Sequence, residues 1–84
     1  MSYRVLLSSQ ASKFYEKLQK NVRVRVREVL VSLENEPYAG KSLHGDLKGN
    51  YSLRVGKLRI IYNIVEKDKT VYVIAIGLRK AIYR

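Results

Sequence analysis

Apolar and polar residues alternate along "YRVLLS", residues 3–8, with Tyr3, Val5 and Leu7 on one side and Arg4 on the other. This period-two pattern predicts a short strand. The period then changes. Ala11, Phe14, Tyr15 and Leu18 follow an i, i+3, i+4, i+7 stripe behind Ser8-Ser9, whose hydroxyls suit an N-cap, so a helix is expected to end near Lys20-Asn21. "NVRVRVREVLVSLENEP" reads two ways. Residues 22–27 alternate valine with arginine as a strand does, whereas Val22, Val26, Val29, Leu30 and Leu33 form a helical stripe. The run is too long for an ordinary strand, and Pro37 stands just beyond its end, so a second helix is expected, with Asn21 able to cap it. Arg23 and Arg27 then lie one turn apart on a solvated face near Glu28.

Residues 38–50 hold three of the five glycines and read as a loop or a short irregular strand. Beyond them, "YSLRVGKLRIIYNI" is a β-hairpin pattern around Gly56-Lys57, a pair suited to a type II′ turn. Folding there pairs Val55 with Leu58, Arg54 with Arg59 and Leu53 with Ile60. Tyr51, Leu53 and Val55 then share an apolar face with Leu58, Ile60, Tyr62 and Ile64, while Ser52, Arg54, Arg59 and Asn63 point the other way, with Ile61 as the one apolar exception. After a turn at "EKDK", "TVYVIAIG" is apolar on both faces, as a central, doubly covered strand would be. The whole predicts a single α+β domain over residues 1–84 of order β-α-α-β-β-β, a two-helix hairpin packed on one face of a small, mostly antiparallel sheet.

Charge changes the picture. Lys and Arg number 17 against 7 Asp and Glu, a net of +10, and the excess concentrates in the second half. A polyanionic partner is expected, nucleic acid or an acidic protein. There is no cysteine for a disulfide or thiolate metal site, and His44 is the single imidazole, so neither metal nor other cofactor is expected. His44 sits in a glycine-flanked loop and reads as a surface residue rather than a general base. No apolar run approaches a membrane span, and the N-terminus has no signal-peptide core, so a cytoplasmic protein with no membrane partner is expected.

The hairpin sets two like charges directly opposite each other, which destabilises a sheet. Arg54 and Arg59 make better sense as part of an anion site, because a guanidinium stays charged and offers a planar fork to phosphate. Arg79 joins them if the "EKDK" connection has an odd number of loop residues; an even loop sends it to the other side.

"LKGNYSLRVGKLRIIYNI" followed by "VYVIAIGLRKAIY", spanning residues 47–83, resembles the RelE/ParE superfamily of bacterial and archaeal toxins. Most of the chain is covered, and the preceding helical pair suits the family layout. For the RelE branch the resemblance implies a ribosome-dependent mRNA endonuclease, or mRNA interferase, cutting in the A site of the 70S ribosome by attack of a ribose 2′-OH on the adjacent phosphate, without a metal. It implies an acidic cognate antitoxin as partner. By position, Arg59 and Arg79 match the family's arginines at the scissile phosphate and Tyr83 its C-terminal catalytic tyrosine, with Arg54 in the place of a basic residue of the same strand. Lys48, Lys57 and Lys80 are further candidates for RNA or phosphate contact. The chain departs at Ser52, where RelE has a lysine, which leaves room for the alternatives: a ParE-like toxin that binds DNA gyrase, or a non-catalytic basic homologue.

Overall fold

The computed structural model describes residues 2–80. Strand β1 (Arg4–Leu7) leads into helix α1 (Ser9–Glu16), and helix α2 (Lys20–Ser32) follows almost at once. Ser8 caps α1 by accepting a hydrogen bond from the Ala11 N–H. The first helix ends earlier than its apolar stripe, at Glu16, and Gln19 rather than Asn21 precedes α2. The side chain of Arg23 explains the early stop: its Nη1 donates to the carbonyls of Leu18 (3.2 Å) and Glu16 (3.4 Å), satisfying groups a helix end leaves open. Leu18 still packs against the core from the connection. The valine–arginine alternation is helical, with Val26 and Leu30 buried.

Two short 3-10 turns and a two-residue strand β2 (Lys41–Ser42) occupy the glycine-rich segment. Strands β3 (Asn50–Val55), β4 (Leu58–Val65) and β5 (Thr70–Leu78) complete a five-stranded sheet of order β1-β5-β4-β3-β2. β1 runs parallel to β5, and the other pairings are antiparallel. The hairpin has the expected register, and Gly56 takes the positive φ of +60° that the first turn position of type II′ demands.

Both helices lie on one face. Val26, Leu30 and Leu33 of the α2 region meet Val55, Leu58, Ile60, Tyr62, Val71 and Ile76 in one core. Tyr62 is fully buried, yet its hydroxyl is satisfied: it donates to the Pro37 carbonyl (2.8 Å) and accepts from the Gly40 N–H (2.9 Å). Burial pushes its ionisation upward. Gly40 is required by this close approach, since a Cβ there would stand 2.5 Å from the Tyr62 hydroxyl and 2.9 Å from the Ser52 carbonyl oxygen.

β5 is an interior strand of the sheet, but among the described residues no helix covers its second face, where Tyr72 is 39% exposed. The β4–β5 connection has four residues, Glu66 to Lys69, an even number. Near the turn Val65 therefore pairs with Thr70, and Tyr62 with Val73. A β-bulge then intervenes: Ile61 pairs with Ala75, leaving Ile74 without an opposite number. Beyond the bulge Arg59 faces Gly77, and core residues change parity from Val71 and Val73 to Ile76. The even loop alone would send Arg79 to the helix side; the bulge reverses that.

Candidate active site

Arg54 and Arg59 are direct cross-strand partners, as the turn geometry requires, and both stand on the face that the helices leave open. Arg54 is exposed, whereas Arg59 is half-buried. The two do not simply confront each other. Nη1 of Arg59 donates to Oγ of Ser52 at 3.1 Å, two residues further along β3 on the same face. Ser52 is 5% exposed, so this hydroxyl is an interior acceptor that draws the Arg59 guanidinium along the sheet and away from Arg54. The position where the chain departs from the RelE lysine thus holds one of the arginines. Residue type gave no sign of this, because a serine in a strand carries no signal of its own; the spacing of Ser52 and Arg59 across the hairpin was the available clue.

The Arg79 N–H donates to the Lys57 carbonyl at 2.9 Å, extending the β4–β5 ladder by one step beyond the Leu58–Leu78 pair. By the parity that the bulge sets, Arg79 belongs with Gly77 and Arg59 on the open side. A shallow cleft of about 340 Å³ lies between the hairpin turn and the end of β5, lined by Lys57, Leu78, Arg79 and Lys80. On the other side of the turn, Arg25 of α2 lies against Gly56, and a groove of about 410 Å³ is lined by Arg25, Glu28, Arg54 and Gly56 among others. Arg54, Lys57, Arg59, Arg79 and Lys80 are therefore gathered at one pole of the molecule. Lys48 and His44 are not: both are exposed near the opposite end of β3. Lys48 lies in the turn before β3, and from Asn50 to Arg54 the strand alone covers about 13 Å. Tyr83 lies outside the described residues.

The pole is electropositive for a second reason. α2 begins beside the hairpin turn, where Gln19, Val22 and Arg25 share a cleft with Gly56 and Lys57, so the positive end of its dipole adds to the cations. A carboxylate anchors the far pole, at the β4–β5 turn. There Glu66 accepts from the hydroxyls of Tyr38 and Tyr3 (the latter at 2.7 Å) and pairs with Lys69 at 3.0 Å. The Tyr38 bond is the main cause that holds the Glu66 carboxyl down at about 2, followed by those of Tyr3 and Lys69. The same bond pushes Tyr38 up to about 12. This cluster ties the start of β1 and the segment after α2 to the β4–β5 turn.

Among the described residues no three His, Cys, Asp or Glu side chains gather as metal ligands would, and no helix is long and apolar enough to cross a membrane. The chemistry that the basic pole offers is charge stabilisation: several fixed cations around a surface open to an extended polyanion.

The family model for the ParE toxin of type II toxin–antitoxin systems matches residues 5–83, nearly the whole chain. The chain belongs to the RelE/ParE toxin superfamily. Two Mycobacterium tuberculosis proteins, toxin RelE and toxin RelG, are each 33% identical to it, over 98% and 100% of this chain and 87% and 99% of theirs. Among solved structures, the M. tuberculosis toxin–antitoxin complex RelBE2 matches with a TM-score of 0.85 and 30% identity, covering 94% of this chain and all of that one. The five-stranded sheet with two helices on one face is thus the RelE-like fold. The protein is a RelE-like toxin of a type II toxin–antitoxin system.

Proposed function

We propose that this RelE-like toxin is an endoribonuclease that cuts mRNA in the A site of the translating ribosome and so stops translation. The observation that supports it most is the convergence of Arg54, Arg59 and the Arg79 backbone on one end of the uncovered sheet face, with Arg59 held by Ser52. In the reaction the ribose 2′ oxygen bonds to the adjacent phosphorus and the bond from phosphorus to the 5′ oxygen breaks. The proton of the 2′-OH passes to a base and another is delivered to the departing 5′ oxygen, leaving a cyclic phosphate and a 5′-OH. The intermediate phosphorane carries more negative charge than the starting diester, so fixed guanidinium forks stabilise it more than the ground state. Arg59 and Arg79 take this role at the phosphate, Arg54 and Lys57 hold the neighbouring backbone, and Lys80 extends the cationic rim. Tyr83, assigned through the family resemblance, stacks on a base or exchanges a proton. As a base it needs its ionisation lowered by the surrounding cations, since a tyrosine ordinarily titrates near 10.

The partner that silences the toxin is an acidic antitoxin segment, for which the +10 charge is a natural counterpart. The similar M. tuberculosis structure, RelBE2, is a toxin–antitoxin complex, which supports an antitoxin as partner. A second reading, inhibition of DNA gyrase through protein binding, is favoured by one observation, serine in place of the RelE lysine at Ser52.

Induced expression followed by primer extension on cellular mRNAs separates the two. The endonuclease gives cuts in register with codons that vanish in Arg59→Ala and Arg79→Ala. Intact mRNA with an SOS response assigns the toxin to gyrase instead.

A further inference from the structure

The open face of the sheet carries a second row of side chains besides the arginines. Four residues along β4 from Arg59, on the same side, Asn63 pairs directly with Asn50 on β3 and with Tyr72 on β5. Tyr72 is 39% exposed although its neighbours Val71 and Val73 are fully buried in the core. Between the rows runs a shallow floor of Ser52, Ile61 and Ala75, the first two only 5% exposed.

Tyr72 and Gly77 are five residues apart, so on a regular strand they would face opposite sides. The unopposed Ile74 resets the phase between them, and both then lie on the open face. Bulges beside functional sites serve to re-aim side chains in this way. Tyr72 shares the face of Arg59 through its pairing with Asn63, and the bulge is what brings Arg79 to that same face. The side-chain oxygen of Asn63 is a further sign: it is shut from solvent and has no hydrogen-bond partner among the described residues. A buried acceptor left unpaired is costly, and rotation of the half-buried Asn63 amide toward a base edge would relieve it.

We infer that Tyr72, with Asn63 and Asn50 beside it, forms a nucleobase subsite on which an unpaired base of single-stranded RNA stacks while its backbone runs to the arginine row. The inference rests on the reading of that row as an RNA phosphate site. The separation of Arg59 and Asn63 along the strand is about 13 Å, within reach of a short extended stretch of RNA. Aromatic side chains on an open sheet stack bases of any identity, and a neighbouring amide can both donate to and accept from a base edge. The net charge of the face selects a polyanion over an apolar partner, and the paired amides suit a base edge better than an apolar surface.

The test uses the purified full-length chain and a 2′-O-methyl tetranucleotide, which cannot be cut, carrying the fluorescent base 2-aminopurine at each position in turn. Stacking on Tyr72 quenches one position selectively, and removing the base there weakens binding about tenfold. Tyr72→Ala abolishes both effects, and Tyr72→Phe restores them, with circular dichroism confirming that both variants fold. Wild-type binding and quenching by Tyr72→Ala, while Arg59→Ala binds weakly, would overturn the base subsite and leave the phosphate site standing. Wild-type binding by both variants would overturn the phosphate site and the subsite with it. A Tyr72→Ala chain that binds the oligonucleotide normally but loses its antitoxin would assign the row to a protein partner and likewise overturn the inference.

Discussion

Replacing Arg54 with glutamine removes one charge from the opposed pair while keeping a long polar side chain on an exposed strand position. Like charges directly opposite on neighbouring strands cost roughly 0.2–1 kcal/mol. The hydrogen bond from Arg59 to Ser52 relieves part of this, and the exposure of Arg54 lets solvent screen the remainder. The expected gain in stability for Arg54→Gln is therefore about 0.5 kcal/mol at low salt, or about 2–4 °C in Tm for a domain of this size. Raising the salt to about 0.5 M shortens the screening length to a few ångströms, so the gain should vanish there. The same change deletes a charged hydrogen-bond donor to RNA, worth about 1.5–3 kcal/mol, and should slow ribosome-dependent cleavage about 10- to 100-fold. Thermal and urea melts at two salt concentrations, beside a cleavage assay on programmed ribosomes, read both effects. A variant that loses more than about 1 kcal/mol of stability at either salt would show that Arg54 packs rather than repels, and would refute the reasoning.

Ser52→Ala should leave the fold intact but remove one hydrogen bond that orients the Arg59 guanidinium, lowering cleavage about fivefold, while Ser52→Thr retains most activity. Gly40→Ala should destabilise by more than about 1 kcal/mol, because its methyl group collides with the Tyr62 hydroxyl and the β3 backbone; urea denaturation checks this. Glu66 ionises at about 2 in the fold against an ordinary 4.5, so its contribution to stability is complete above pH 4.5 and fades as the pH falls toward 2. Tyr38, raised to about 12, contributes fully below pH 10 and ceases to do so as the pH climbs through 12. Glu66→Gln should therefore be less stable than wild type at neutral pH, with the difference shrinking below pH 4.5 and cleavage unchanged, since the cluster sits at the pole away from the arginines.

Much of this architecture was legible because it follows from local periodicity. The faces of β3 and β4 read directly from alternation, and Gly56-Lys57 fixed the turn and hence the pairing of Arg54 with Arg59. The helical reading of residues 22–33 came from the valine and leucine stripe, and Val26 and Leu30 are indeed interior. What stayed hidden depends on contacts distant in sequence or on a single extra residue. Loop length alone left the side taken by Arg79 open, because the bulge at Ile74 cancels the parity of an even turn. Its trace in the sequence is the shift of core positions from Val71 and Val73 to Ile76, concealed because every residue between them is apolar too. Ser52 read as a missing lysine, since the bond that gives it a role spans two strands. The end of α1 was obscured because Leu18 packs like a helical residue from outside the helix, while Arg23 caps the last turn.

The central claim is that the arginine pole promotes attack by a ribose 2′-OH. The most direct measurement supplies purified ribosomes with an mRNA carrying a single 2′-deoxynucleotide on the 5′ side of the bond cut in the unmodified message. The account predicts that this one change abolishes cleavage at that bond, and that the unmodified message yields a 2′,3′-cyclic phosphate end facing a 5′-OH. Continued cutting of the deoxy-substituted bond, or products ending in a 3′-OH, would contradict it.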